Sequence, residues 1–339
     1  MNRVYLDWNA TAPLRPEARA AMLAAMDCVG NPSSVHAEGR AAKAIVEKAR
    51  GKVADAVGAS GADVVFTSSA TEAAALALCG QSYCSSDLEH SCVSVWTEET
   101  TATLSKTAQQ LANNETGEIY DVKPETGFSD TVQAIGKVPY SFAWSGVERA
   151  VISSHKFGGP KGAGALILRQ GIEIEAALKG GGQEMGRRSG TENVVGIAGM
   201  GAAAEAASKD LANGVWQIVE QNRNVFEERL LNEVPELIIF CKDALRLPNT
   251  SYFAVKGWKA ETQVMQMDLA GFAVSAGSAC SSGKVKASRV LKAMGYDEIT
   301  AGSAIRVSIG PSTTAAELDS FADAWLKEYK RYKARQEGK

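Results

Sequence analysis

Short apolar runs of strand length, Val64–Phe66, Ala150–Ser153 and Ala163–Leu168, lie between stretches whose apolar residues recur at helical spacing. That alternation restricts the chain to an α/β architecture. Pro16 suits a first helical turn, and Ala18, Met22, Ala25 and Val29 follow it at helical intervals. A second helix is expected from about Ser34 to Val57, with Val46, Ala49, Val53 and Val57 on its core face. An Ala-rich helix should run from the Ser68–Glu72 turn to near Gly80, and long helices over Asn193–Ala207 and Gly214–Val234. In the last of these, Val215, Ile218, Val219, Asn222, Phe226 and Leu230 fall near one face. The pattern changes after Pro235, where short runs at Leu237–Phe240, Thr250–Val255, Phe272–Val274 and Ala304–Ile309 alternate with helical stretches. The last helix spans Thr314–Tyr332, with capping-box spacing at Thr314 and Glu317 and a buried stripe of Leu318, Phe321, Ala322, Trp325 and Tyr329. A large α/β domain and a smaller C-terminal α/β domain are therefore expected, sharing a broad interface because no low-complexity linker divides them.

Composition narrows the function. With 36 Lys+Arg against 39 Asp+Glu in 339 residues, the chain is neither a strongly basic nucleic-acid binder nor the owner of an acidic tail. Direct nucleic-acid binding is not expected. No run reaches the roughly 18 apolar residues that span a bilayer, and the N-terminus lacks a signal-peptide core, so a cytoplasmic protein without membrane contact is expected. Six cysteines without a CxxC pair argue against a disulfide scaffold and a structural zinc site.

Two local patterns carry chemistry. The strand, small-residue turn and helix around Ser68–Glu72 can hold a phosphate on free N–H groups. Ser153–Gly162, reading SSHKFGGPKG, sets Lys156 between a strand and a Gly/Pro loop. A lysine there can form a Schiff base with an aldehyde cofactor, and local sequence equally allows an ordinary surface lysine. The histidines His36, His90 and His155 match no metal motif, and no metal is expected.

Eight segments, YLDWNATAPL, NPSSVHAEGR, NNETG, DTVQA, SSHKFGGPKG, GGGQEMGRRSGTEN, SAGSACSSG and IRVSIG, follow in order from residue 5 to residue 310. In them the chain resembles the cysteine desulfurases, pyridoxal 5'-phosphate enzymes of the aminotransferase class V superfamily. The resemblance implies an aspartate-aminotransferase-like fold (PLP-dependent transferase fold type I), with a large domain over 16–235 built on a mostly parallel sheet and a small domain from 1–15 and 236–339. It implies that Lys156 tethers the cofactor and moves the substrate proton, that Asp130 pairs with the pyridine nitrogen, and that Gln133 binds the phenolic oxygen. His90 would stack on the ring and relay protons. Thr71, Ser153 and His155 would hold the phosphate, completed by Thr191 from a partner subunit, which implies a homodimer. Arg306 and Asn114 would bind the substrate carboxylate, and Arg188 would organise the subunit interface. Cys280 would take the sulfur of L-cysteine as a persulfide and pass it to an acceptor protein, an iron–sulfur cluster assembly scaffold or a thiolation carrier. Cys28, Cys79 and Cys241 read as small buried hydrophobes.

Local sequence leaves other assignments open: strand-end caps for Asp130 and Gln133, and an internal ion pair for Arg306. A selenocysteine lyase would use the same residues, an aminotransferase would need no Cys280, and a catalytically weak sulfur-relay protein would keep the fold. The chain departs from the family where only residues 91–112 separate His90 from Asn113, and 116–129 separate Glu115 from Asp130. The missing pieces normally supply strands or helices of the large domain. Ala73-Ala74-Ala75 replace polar residues after the phosphate turn, Ser69 replaces a glycine, and Lys284 and Lys286 follow the nucleophile.

Overall fold

The computed structural model describes residues 3–99, 106–123, 125–277 and 286–338. In chain order the elements begin β1 (Val4–Tyr5), α1 (Pro16–Met26), α2 (Ala37–Ala56), β2 (Asp63–Thr67), α3 (Ala70–Leu78), β3 (Cys84–Ser85), α4 (Ser91–Ser94), β4 (Glu98–Glu99) and β5 (Thr107–Gln110). There follow β6 (Thr126–Asp130), α5 (Phe142–Ser145), β7 (Arg149–Ser153), β8 (Gly164–Leu168), α6 (Val194–Ala212), α7 (Val215–Glu233), β9 (Ile238–Ile239) and β10 (Thr250–Ala254). The chain ends with α8 (Ala260–Leu269), β11 (Phe272–Ala273), β12 (Ser275–Ala276), α9 (Arg289–Ala293), α10 (Glu298–Ala301), β13 (Ala304–Ser308) and α11 (Ala315–Glu337). Two expected faces shift. α1 stops at Met26 and leaves Val29 exposed, while Ile218 is exposed because the stripe of α7 runs through Trp216, Val219, Phe226 and Leu230. Among the described residues no helix is long and apolar enough to cross a membrane.

The chain divides into two compact units, a larger one of Thr11–Ala112 and Tyr120–Asn213, and a smaller one of Met1–Ala10, Asn113–Ile119 and Gly214–Lys339. The larger unit holds a seven-stranded sheet in the order β2-β8-β7-β6-β5-β3-β4. It is mostly parallel, with β8 antiparallel to both β7 and β2. Alternation along the strands feeds two cores. Val64, Phe66, Ala150, Ile152, Ala165 and Ile167 pack with residues of α1, α2 and α6, whereas Val65, Val151, Leu166 and Leu168 pack with α3 and Phe128. The unusual alanines of α3 have their reason here: Ala73 and Ala74 are fully buried, and their small side chains let the helix lie close on the sheet. Gly164 serves the same approach, since a Cβ there would stand 2.6 Å from the Ser69 carbonyl carbon.

The shortened regions do not break this sheet. β5 pairs in parallel with β6 through a bulge at Thr107/Ala108, and the described residues between the two strands contain no helix. Gly127 faces the Tyr83 ring, where a Cβ would fall 2.8 Å from the nearest ring carbon. Polar side chains clothe part of this pair: the Thr107 hydroxyl reaches that of Thr126 at 3.3 Å, and Gln109 donates to the Asp121 carbonyl at 3.1 Å. Such groups are satisfied without a helix above them.

The smaller unit has an antiparallel sheet in the order β12-β13-β10-β9, and β1 pairs in parallel with β11. The capping box at Thr314 and Glu317 is formed, and Leu318, Phe321, Ala322, Trp325 and Tyr329 are buried as the spacing requires. Trp325 stacks on Tyr329 and meets Phe253 edge-on, which gives this core its aromatic centre.

Phe128→Ala removes a fully buried ring from the shared centre of β6 and α3. It should destabilise the protein by about 3–5 kcal/mol in urea unfolding.

Candidate active site

The turn after β7 is fixed by its backbone before any side chain acts. Ser154–Lys156 form one turn of 3-10 helix, closed by Ser154 N–H donating to Ala163 at 3.1 Å and Gly159 N–H to Ser154 at 2.9 Å. A Cβ on Gly159 would lie 2.1 Å from Ser154 Oγ, so only glycine fits. A second strap comes from residues the sequence reading left without a role. Ala12 N–H donates to His155 O and Arg15 N–H to Gly158 O, each at 2.8 Å, while Arg15 Nε donates to Phe157 O at 2.9 Å. Asp210 holds the Arg15 guanidinium at 2.7 Å. The signal available was YLDWNATAPL itself, which contains Ala12 and runs up to Arg15.

This turn presents a half-buried Lys156. Asp130, at the end of β6, is buried, and burial pushes its carboxyl above the ordinary range. The Val132 N–H, donating at 2.9 Å, and the neighbouring His90 and Lys156 oppose that rise. Asp130, His90 and Lys156 are therefore within electrostatic reach of one another. His90 caps α4: its Nδ1 accepts the Cys92 N–H at 3.2 Å and lies 3.0 Å from Cys92 Sγ. An accepting Nδ1 puts the proton of the neutral ring on Nε2. Gln133 is buried, and its amide oxygen accepts from Lys137 at 2.9 Å.

The anion side of the site is equally local. Ser69 caps α3 through the Glu72 N–H at 3.2 Å, and Thr71 stands exposed in the first turn, where the helix field favours negative charge. Glu72 is raised by burial but lowered more by Arg188, which donates at 2.9 Å, and by the Ser68 N–H at 2.7 Å. Arg188 thus braces the turn before α3 within its own chain. Ser153 is buried at the end of β7. His155 is pushed down to about 4 by burial and by the charges of Lys156 and Lys161, and its buried Nδ1 has no hydrogen-bond partner among the described residues. Thr191 is exposed and lines a cavity of about 170 Å³ with Ser68, Gly162, Arg188 and Asn193.

The donor set suits a phosphorylated pyridine aldehyde. A buried carboxylate matches a cationic ring nitrogen, a lysine held in a fixed turn matches an aldehyde, and a buried imidazole nitrogen without a partner among the described residues, together with the exposed first turn of α3, matches a phosphate.

In the smaller unit Arg306 lies on β13 and is buried. Its Nη2 binds Asp7 at 2.8 Å and its Nη1 donates to the Asn114 carbonyl at 2.7 Å, while Nε has no partner among the described residues. The internal ion pair that local sequence allowed for Arg306 is present. Asn114 meets it through backbone and not through its amide. Cys280 lies outside the described residues. The remaining cysteines correct the sequence reading: Cys79 is exposed and Cys28 and Cys241 are half-buried, while Cys84 and Cys92 are the buried ones. Cys79 follows the last turn of α3, where helical spacing no longer turns it inward.

The sequence pattern of the aminotransferase class-V family matches residues 4–129 and 126–321. A curated cysteine desulfurase of Cereibacter sphaeroides is 36% identical over an alignment 370 positions long, gaps included, covering 95% of each chain. A solved NifS-like protein from Rickettsia africae superposes with a TM-score of 0.87 at 29% identity, covering 97% of this chain and 100% of that one. A structure described as SspA in complex with cysteine superposes with a TM-score of 0.74 at 25% identity, covering 92% of this chain and all of the other.

The depressed His155 sets a pH signature. Histidine ordinarily titrates at 6.5 but here at about 4, so the unfolded chain binds more protons between those values. The contribution is intact above about 6.5 and lost as pH falls towards about 4. In urea titrations of the cofactor-free protein, His155→Gln should flatten the loss of stability over that window.

Proposed function

Because the chain belongs to the aminotransferase class-V family and, within it, to the cysteine desulfurases, we propose that it converts L-cysteine to L-alanine and carries the released sulfur as a persulfide on Cys280. Enzymes of this branch depend on pyridoxal 5'-phosphate, which when bound supplies an electron sink for charge developing at the substrate Cα. The observation that carries the assignment of residues is Asp130, a buried carboxylate within electrostatic reach of Lys156 and His90.

In this reading the Lys156 amine would hold the cofactor and would take and return the substrate Cα proton. Asp130, kept from water, would pair with the cofactor's ring nitrogen and favour a proton there. Gln133 would lie against the phenolic oxygen, and His90, with Nδ1 engaged by the Cys92 N–H, would relay protons through Nε2. Thr71, Ser153 and His155 receive the phosphate, whose charge would lift His155 back from its depressed value. Arg306 takes the substrate carboxylate with Asn114 beside it; Asp7 and the Asn114 carbonyl fix the guanidinium plane in advance. The Cys280 thiolate attacks the substrate sulfur: an S–S bond forms, the Cβ–S bond breaks, and its electron pair stays with carbon to be protonated as the alanine methyl.

A homodimer belongs to the proposal, with Thr191 of the partner subunit completing the phosphate site. Exposed Thr191 supports it, as do exposed Val29, Val35 and Met185. Pro32 and Ser33, between those valines, line a cleft of about 900 Å³ with Lys43, Arg50 and Met185. A sulfur acceptor, an iron–sulfur scaffold or thiolation carrier, would take the persulfide in the cytoplasm, whose reducing conditions suit a reactive thiol.

Purified protein supplied with pyridoxal phosphate should turn yellow and, given L-cysteine and a reductant, release alanine and sulfide in equal amounts. A protein that stays colourless, or that turns yellow and yields a keto acid, rejects the reading. Lys156→Ala should abolish the covalent absorbance. Cys280→Ala should keep it and release almost no sulfide, and normal sulfide release by that variant would remove Cys280 from the reaction.

A further inference from the structure

Glu115 is a buried carboxylate that the reaction above leaves unused. It belongs to a tight turn in which Asn113 Oδ1 accepts the Glu115 N–H at 2.9 Å and the Thr116 N–H at 3.0 Å. Its Oε2 accepts the Tyr252 hydroxyl at 3.2 Å and the Ser288 hydroxyl at 2.5 Å. Tyr252 is fully buried on β10, and Ser288 caps α9 by accepting the Leu291 N–H at 3.0 Å. Gly277 arrives at the same point: a Cβ there would stand 2.0 Å from the Tyr252 hydroxyl and 2.4 Å from Glu115 Oε2. Neither neighbour can yield, since Tyr252 is locked in the core and Glu115 is held by two donors.

Gly277 and Ser288 bracket Cys280 in the sequence, and both meet one carboxylate. The same turn reaches the substrate side, because the carbonyl of Asn114 binds Arg306 at 2.7 Å. Burying a carboxylate is unfavourable, and an amide of equal size would fill the space without that cost. What the charge adds is a fixed demand for two donors.

We propose that Glu115 is a positioning residue for sulfur transfer, setting where the chain leaves for and returns from Cys280 in the frame of Arg306. The proposal rests on the desulfurase reading for its reaction, and its geometry lies within one unit of the fold.

Glu115→Gln should keep the cofactor absorbance and leave KM for cysteine within about twofold, while kcat for alanine falls at least about tenfold, as expected when a reacting group is misplaced by an ångström or less. A second readout needs no turnover. Alkylation of Cys280 by iodoacetamide, followed by mass spectrometry on the cofactor-loaded protein, should change in rate by at least about threefold, with exposed Cys79 as internal reference. Tyr252→Phe, which removes one donor and keeps the ring, should shift both readouts the same way by a smaller factor, and it stands in if Glu115→Gln does not fold. Wild-type kcat and alkylation rates in the folded variant overturn the proposal, as do losses that merely follow the folded fraction measured by circular dichroism. A wild-type protein that makes no alanine rejects the desulfurase reading, and the alkylation comparison still decides the role of Glu115.

Discussion

A carboxylate buried at the end of a parallel strand organises the rest of this site. Asp130 is costly where it stands, and its neighbours are arranged to meet that cost: one backbone N–H, one imidazole and one lysine. Sheet direction brings them to one edge. β5, β6 and β7 run parallel, and β2 shares their direction because β8 reverses between them. The C-terminal ends of β2, β6 and β7 therefore open on the same side, leading into the cap of α3, into Asp130–Gln133 and into the Lys156 turn. That edge is where ligands gather in parallel α/β sheets, since the following helices begin there and their N–H groups point outward.

The backbone around Lys156 is more constrained than its glycine content suggests. Gly158 and Gly159 leave no room for side chains, as the first would strike Arg15 and the second Ser154. Ala12 and Arg15 then pin the carbonyls on the opposite side. Glycine here buys close approach and not freedom, which keeps the amine at a set position relative to Asp130. The shortened crossover between β5 and β6 leaves this edge intact, because the bulge at Thr107/Ala108 restores register before β6 reaches Asp130.

The smaller unit follows a similar economy with charges. Arg306 is held by Asp7 and the Asn114 carbonyl. Glu115, the next residue, ties Tyr252 to Ser288. One turn of four residues thus carries contacts to a strand, a helix cap and a guanidinium. Its Asn113 side chain, buried and bonded to two N–H groups, makes that turn rigid.

Local patterns determined much of this protein. The core stripe of α2, the capping box of α11 and the strands on either side of Lys156 follow from spacing alone, because helix and strand periodicities are properties of adjacent residues. Ordered motifs also named the family. Where periodicity ended, the reading failed: Val29 and Cys79 lie just past helix ends, and Ile218 is turned off the stripe of α7. Only tertiary structure decided that Ala12 and Arg15 strap the lysine turn, that Asp7 engages Arg306 and that Glu115 meets Gly277 and Ser288. Those partners are separated by more than a hundred residues, and no local spacing can encode a contact that exists only once the intervening chain has folded.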